Sequence, residues 1–92
     1  GRFGGEEFLV VLPGETTDAC NLIAERIRIA ISKLDINTGD KIIHATASFG
    51  IAAIQPSDLD YHAALKRADL ALYEAKNSGR NKVVIYRDPT DK

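Results

Sequence analysis

The sequence predicts a small α+β domain, on three observations. Apolar side chains recur at three- and four-residue spacing in two segments, which is the pattern of amphipathic helices. Other segments are short, rich in β-forming residues and bounded by glycine, proline or asparagine, as strands are. The length of 92 residues allows one small core and no second domain.

The first predicted element is a strand. Residues 8–12 are a run of β-forming side chains that Pro13 and Gly14 bring to an end. Gly4 and Gly5 precede this run, and adjacent glycines predict a tight turn. The other strand of such a hairpin would lie before Gly1, so we expect an upstream segment to be missing from the chain.

A helix is predicted next, beginning at Thr16 or Thr17 with Asp18 in its first turn. Its predicted inward face is apolar and comprises Ala19, Leu22, Ile23, Ile27, Ala30, Ile31 and Leu34. The single cysteine, Cys20, stands among apolar residues, so we expect a buried thiol in a reducing compartment.

A second hairpin follows this helix in the sequence. It comprises a short strand at Ile36, a turn at residues 37–40 and a long strand through Ile54. In the long strand, apolar residues alternate with His44, Thr46, Ser48 and Gly50, so small and polar groups share one face.

A second amphipathic helix is predicted from Ser57 or Asp58 to Ser78, with Gly79 ending it. Its predicted inward residues are Tyr61, Ala64, Leu65, Ala68, Leu72 and Ala75. Residues 82–86 form the last strand. The resulting β-α-β-β-α-β order is shared by ferredoxin-like folds.

The charge balance excludes a general affinity for nucleic acid. Twelve basic and thirteen acidic side chains give a formal net charge of −1, which provides no broad positive field. An RNA-binding module with this order of elements would carry aromatic residues on its open sheet face, where these strands have Ser, Thr, Ala and Ile. Every apolar run is too short to cross a bilayer. The single cysteine indicates a reducing compartment, so we expect a cytoplasmic domain and leave open a membrane anchor elsewhere in the parent protein.

Two acidic residues are the first candidates for chemistry. Glu6 and Glu7 directly follow the glycine pair, where no side chain blocks the approach of a ligand. The twist of a hairpin tip can bring both carboxylates near one cation, and two such oxygens suit Mg²⁺. A solvated hairpin tip explains the same residues, and the pattern alone does not decide between the two interpretations.

Two basic residues are the second candidates. Lys76 falls in the last turn of the predicted helix, and Arg80 follows Gly79 just beyond it. Together they could neutralise a polyphosphate, the lysine as a point charge and the arginine as a bidentate fork. The alternative is a helix C-terminus whose cations complement the helix dipole.

Other motif interpretations fail. Ser48 lies in a strand and lacks the first glycine of a nucleophile elbow. His44 and His62 have no cysteine or histidine partners at metal-ligand spacing. No phosphate-binding P-loop and no dinucleotide fingerprint is present.

Three motifs together resemble the GGDEF family of diguanylate cyclases. They are Arg-Phe-Gly-Gly-Glu-Glu-Phe at residues 2–8, Ser-Phe-Gly-Ile-Ala at residues 48–52, and the segment from Ala-Asp-Leu to Gly-Arg-Asn at residues 68–81. We therefore identify residues 1–87 as the C-terminal part of such a domain and residues 88–92 as a tail. The resemblance implies a ferredoxin-like or nucleotide-cyclase-like fold with an antiparallel-rich sheet and packed helices, incomplete at its N-terminus.

The resemblance also implies a function in bacterial second-messenger signalling. Members condense two GTP molecules into cyclic di-GMP and release pyrophosphate, using Mg²⁺ or Mn²⁺ and two facing domains in a dimer. An upstream sensor or receiver domain is implied as a further partner. The alternative is a non-catalytic member that binds GTP or cyclic di-GMP to regulate another domain.

The family's site residues carry over by position. Glu6 matches a metal ligand and proton acceptor, and Glu7 matches an acidic group near the metals. The remaining matches are Gly4 and Gly5 under the nucleotide, Lys76 and Arg80 on the triphosphate, and Arg26 at a product-inhibition site. The family's metal-binding aspartate and its guanine-reading residues belong to the missing front part, so we expect this chain alone to make no cyclic di-GMP.

Overall fold

A computed structural model describes residues 4–13 and 17–87. Its elements are strand β1 (Gly4–Pro13), helix α1 (Thr17–Ser32), strands β2 (Asp35–Asn37) and β3 (Ile42–Ile54), helix α2 (His62–Asn77) and strand β4 (Val83–Ile85). The predicted order β-α-β-β-α-β and the α+β class are confirmed. No helix in this part of the chain is long and apolar enough to cross a membrane.

Strand β3 is the centre of the sheet. β1 runs parallel to it along one edge, from Gly4 opposite Ala45 to Pro13 opposite Ile54. On the other edge β2 pairs with it antiparallel and β4 pairs with it parallel. Two of the three pairings described are therefore parallel, where mainly antiparallel pairing had been expected. The reason is connectivity: a helix links β1 to β2–β3 and another links β3 to β4, whereas only β2 and β3 are joined by a short turn.

The two faces of β3 carry different helices. Ala47, Phe49 and Ile51 form a buried cluster with Ala24 of α1. On the opposite face, a Cβ built on Gly50 would lie 2.2 Å from the backbone oxygen of Ala68 in α2. The alternation predicted along β3 is confirmed. Helix α2 packs against the face of β3 that carries the small residues.

Helix α2 begins at His62, so the predicted start at Ser57 or Asp58 is wrong. The carboxylate of Asp58 accepts the backbone N–H of Gln55 and the guanidinium of Arg67, which holds the chain in a turn instead. Oδ1 of Asp60 then accepts the backbone N–H of His62. Both aspartate side chains accept hydrogen bonds from backbone N–H groups nearby in the sequence. Such bonds compete with the hydrogen bonds of a helix, as those of short polar side chains often do.

The inward face predicted for α2 is largely correct. Ala64, Ala68, Leu72 and Ala75 are buried, and Leu65 is half-buried. Tyr61, however, is 56% exposed, since it precedes the helix and stacks on His62 instead. Gly79 lies just past the helix with φ of 115°, the left-handed conformation expected of a glycine that ends a helix.

The inward face predicted for α1 is mostly wrong. Ala24 is the one buried residue of this helix, with Cys20 and Ile31 half-buried beside it. The predicted inward residues Ala19, Leu22, Ile23, Ile27 and Ala30, together with Leu34 just past the helix, are exposed instead. A single helix touches a sheet along a narrow stripe, and the apolar residues that flank this stripe remain uncovered by the described part of the chain.

Candidate functional site

Three charged side chains from distant parts of the sequence meet at one surface. Lys76 Nζ lies 3.4 Å from Oε1 of Glu7, and Arg80 Nη1 lies 3.5 Å from Oε2 of the same carboxylate. The two contacts join residues 69 and 73 positions apart. We call Glu7, Lys76 and Arg80 the charge cluster. It brings one predicted acidic residue and both predicted cations together, so one anionic ligand can reach both cations at once.

Backbone packing places this cluster. Glu7 sits opposite Ser48 in the parallel register of β1 and β3, on the sheet face that α2 covers. The last turn of α2 carries Lys76 across this face. Beyond the helix, the backbone N–H of Asn81 donates to Oγ of Ser48, which brings Arg80 back over the sheet.

Glu6 lies on the other face of β1, because successive strand residues alternate. It pairs with the buried Ala47, next to Phe8, whose ring stacks on Phe49 at 4.8 Å. Its side chain is exposed and makes no hydrogen bond or ion pair with another described residue. The two glutamates therefore diverge, and the expectation that both approach one cation is wrong for this conformation.

The glycine pair is not a turn. Gly4 and Gly5 are the first residues of β1 and pair with Ala45 and Thr46, so the predicted tight turn does not occur at these two positions. A Cβ built on Gly5 would find no atom of the described residues within 4 Å. The backbone at Gly5 thus remains open to a ligand, as the sequence interpretation required, although for a different structural reason.

Arg26, the candidate for an inhibitory site, is exposed on α1 and bonds no other described residue. Its neighbour Arg28 instead contacts Asn81 next to the charge cluster. Sequence reasoning missed the roles of Arg28, Asn81 and the hydroxyl of Ser48. A signal for Asn81 was available, because it stands two positions after the glycine that ends α2, and asparagine is a residue that adopts left-handed backbone.

At the candidate site the described residues offer a metal ion one unpaired carboxylate, that of Glu6. They contain no group of three or more His, Cys, Asp or Glu side chains that could hold one. Mg²⁺ is commonly bound through one or two carboxylates plus waters and substrate phosphates, so the unpaired, exposed Glu6 suits it as a single ligand. Glu7 is already shared by two cations and faces the other way.

Two aspartates and a cavity lie near the start of α2, at the end of the helix that is far from the charge cluster. The Arg67 guanidinium, with help from the backbone N–H of Gln55, holds the pKa of the Asp58 carboxyl below its ordinary value. The His62 backbone N–H lowers the pKa of Asp60 in the same way. A cavity of about 870 Å³ adjoins these residues and reaches Leu9 of β1. Both acids stabilise the start of the helix and take no part in the charge cluster.

Comparison with known proteins identifies one family of enzymes. The family profile described as "Diguanylate cyclase, GGDEF domain" matches residues 1–82. Diguanylate cyclase A of Treponema denticola is 37% identical over 87 residues, which cover 95% of this chain and 24% of that protein. The response regulator PleD of Caulobacter vibrioides is 41% identical over 85 residues, covering 90% of this chain and 19% of that protein. The probable diguanylate cyclase DgcT of Escherichia coli is 43% identical over 89 residues, covering 91% and 19%.

These matches place the chain in a family of nucleotidyltransferase enzymes. It belongs to the GGDEF domain family of diguanylate cyclases. The chain spans about a fifth to a quarter of the length of these relatives.

Proposed function

We propose that this chain is the part of a diguanylate cyclase domain that holds the triphosphate of GTP during synthesis of cyclic di-GMP. The observation that carries the proposal is the charge cluster: Lys76 and Arg80 both reach one carboxylate across 69 and 73 residues of sequence. Two cations that already converge on an anion are suitably placed to bind phosphate oxygens.

The two cations have different tasks in this proposal. Lys76 is half-buried in the last turn of α2 and supplies a compact positive charge. Arg80 is exposed beyond the helix and presents a planar fork that can bind two phosphate oxygens. Since phosphoryl and nucleotidyl transfer rely mainly on positioning and charge neutralisation, these side chains act chiefly by orienting the substrate.

The opposite face of β1 supplies the remaining parts. Glu6 acts as a ligand of Mg²⁺ or Mn²⁺ and as proton acceptor, which its exposure and lack of a described partner support. The metal, when bound, neutralises phosphate charge and makes the attacking 3′-hydroxyl more acidic. The open backbone at Gly4 and Gly5 lies under the nucleotide, which the empty space around Gly5 supports.

The proposed reaction needs partners outside this chain. Two GTP molecules held in two facing domains react twice, releasing pyrophosphate and closing the cyclic dinucleotide, so a second GGDEF domain is the proposed partner. An upstream sensor or receiver domain would control their approach in the cytoplasm, and Arg26 would bind product at an inhibitory site. The chain alone is expected to make no cyclic di-GMP.

A chimera tests the proposal directly. Residues 1–87 replace the aligned segment of the Treponema denticola cyclase, and the purified chimera is incubated with GTP and Mg²⁺ while cyclic di-GMP is measured. We expect turnover, its loss in Glu6→Gln, and a KM for GTP raised about tenfold in Lys76→Ala or Arg80→Ala, as removal of a charged hydrogen bond predicts. Lys66→Ala, an exposed lysine on the same helix but away from the cluster, is the matched control.

One observation favours a second function, that of a non-catalytic module that binds GTP or cyclic di-GMP to regulate a partner domain. Glu6 and Glu7 face opposite sides of the sheet, so they do not form a paired carboxylate site. A chimera that binds GTP through Lys76 and Arg80 yet makes no product would favour this module and contradict the enzyme.

A further inference from the structure

Arg80 stands on an unusual stretch of backbone. Its φ is 61° and that of Asn81 is 53°, and both follow Gly79 at 115°. Left-handed backbone is uncommon for a residue with a Cβ and persists only where its surroundings hold it. Asparagine tolerates this conformation, but arginine has no such preference.

Asn81 is the point at which this stretch is held. Its backbone N–H donates to Oγ of Ser48 at 3.0 Å, and Ser48 is only 3% exposed. Nη1 of Arg28 donates to both oxygens of Asn81, to Oδ1 at 3.1 Å and to the backbone carbonyl at 3.3 Å. The Arg28 guanidinium is itself bound to Glu25 one turn earlier in α1. Asn81 is thus held both by the sheet and by the helix on its other face.

Arg80 has little else to direct its side chain. Its guanidinium reaches Glu7 only at 3.5 Å, and its side chain is 61% exposed. Its backbone N–H donates to the carbonyl of Ala75 at 2.8 Å, which fixes the turn but not the direction of the side chain. The orientation of Arg80 therefore depends on the backbone conformation that the contacts of Asn81 maintain.

We propose that Arg28, acting through Asn81, is a positioning residue for Arg80. This proposal rests on the proposed function in taking Arg80 as a phosphate contact. Without Arg28, the backbone at residues 80–81 relaxes away from the left-handed conformation and Arg80 samples more directions. Because Arg80 meets the phosphates in the ground state as well as in the transition state, KM for GTP rises while kcat changes little.

The first arm of the test measures geometry in the 92-residue chain. The φ-dependent coupling between the amide and α protons of Arg80 and Asn81 is recorded by NMR for the wild type, Arg28→Lys and Arg28→Ala. We expect both variants to lose the left-handed value, the lysine variant less. Unchanged couplings in both variants would overturn the proposal even if the chain proves to bind no nucleotide.

The second arm measures KM and kcat in the chimera described above. Arg28→Ala and Asn81→Ala should each raise KM about fivefold, and the double variant should equal either single one, since residues acting in series are not additive. Arg67→Lys is the control, because Arg67 likewise binds a carboxylate and a backbone carbonyl, at the start of α2. It should lower stability and leave KM unchanged. Additive effects, or a KM within twofold of wild type in Arg28→Ala, would contradict the proposal.

Discussion

Helices α1 and α2 are both 16 residues long, yet they bind the sheet very differently. The buried residues of α2 are Ala64, Ala68, Ala71, Leu72 and Ala75. In α1 only Ala24 is buried, while Leu22 is 66% and Ile23 is 58% exposed. The more apolar-looking helix is therefore the one that buries less in the described part of the chain.

The difference shows that small residues, rather than large apolar ones, set the close contact. Four of the five buried residues of α2 are alanines, and backbone atoms of Ala68 and Leu72 lie directly over Gly50, so the helix backbone approaches the strand backbone closely. Close backbone contact leaves little room for sliding, which suits a helix that carries Lys76 to the charge cluster. From helix α1, Arg28 reaches Asn81 beside that cluster.

The largest expected effect comes from Gly50→Ala, which adds a Cβ where the Ala68 oxygen is 2.2 Å and the Leu72 nitrogen 2.5 Å away. Both are backbone atoms, so the helix has to move. We expect the variant to lose about 3 kcal/mol or more of unfolding free energy, measured by urea denaturation. Gly5→Ala, also in a strand but with open space around it, is the matched control and should change stability by less than about 0.5 kcal/mol. A small loss in Gly50→Ala would contradict the close contact.

A smaller effect separates the two helices. Leu72→Ala removes a side chain that is 4% exposed, and we expect a loss of about 2–3 kcal/mol. Leu22→Ala makes the same chemical change at a residue that is 66% exposed, and we expect less than about 0.5 kcal/mol. Thermal unfolding of the 92-residue chain measures both. Equal losses would show that another part of the chain, or a second copy, covers α1 in solution.

The smallest expected effect concerns pH and the start of α2. Because Arg67 and the Gln55 N–H lower the pKa of Asp58 in the folded chain, its ionised form stabilises the fold above the ordinary value of 3.8. That stability is lost as pH falls through the lowered folded pKa. The melting temperature of wild type should thus exceed that of Asp58→Asn near neutral pH, and the gap should close below pH 3.8.

The control for this pH series is Asp69→Asn, an exposed acid within α2 that bonds no other described residue. It should follow wild type at every pH. A gap between wild type and Asp58→Asn that stays constant through the acid range would show that Asp58 contributes nothing by its charge.

The sequence was sufficient for the order of elements. It also suggested that the two acidic residues and the two cations share one site, and the structure brings Glu7, but not Glu6, to Lys76 and Arg80. Periodicity locates each element along the chain, and motifs that bind one substrate must be adjacent in space. The sequence was insufficient to predict which strands pair with β3. The alternation of side chains along β3 indicates which residues share a face of the sheet, but not which strand is hydrogen-bonded to β3. That is why the parallel pairing of β1 was not predicted.

Three further errors have local causes. Ser57 and Asp58 look like helix caps, but Asp58 is engaged by Gln55 and Arg67, so the helix starts one turn later. In α1, the spacing of the apolar residues correctly indicates a helix. It does not indicate how many of those residues the sheet covers. Glu6 and Glu7 diverge because Gly5 belongs to a strand and not to a turn. Successive side chains of a strand point to opposite faces of the sheet, whereas those at a bent hairpin tip can point the same way.

The position of Glu7 has a consequence for how an anion would enter. Two positive groups and one negative group leave the cluster with a single net positive charge, and the negative group is covalently part of the protein. An arriving phosphate would therefore exchange with a tethered carboxylate rather than fill a bare cationic surface. Such an exchange weakens the affinity for any single oxyanion, and it favours ligands with enough charge to engage Lys76 and Arg80 together.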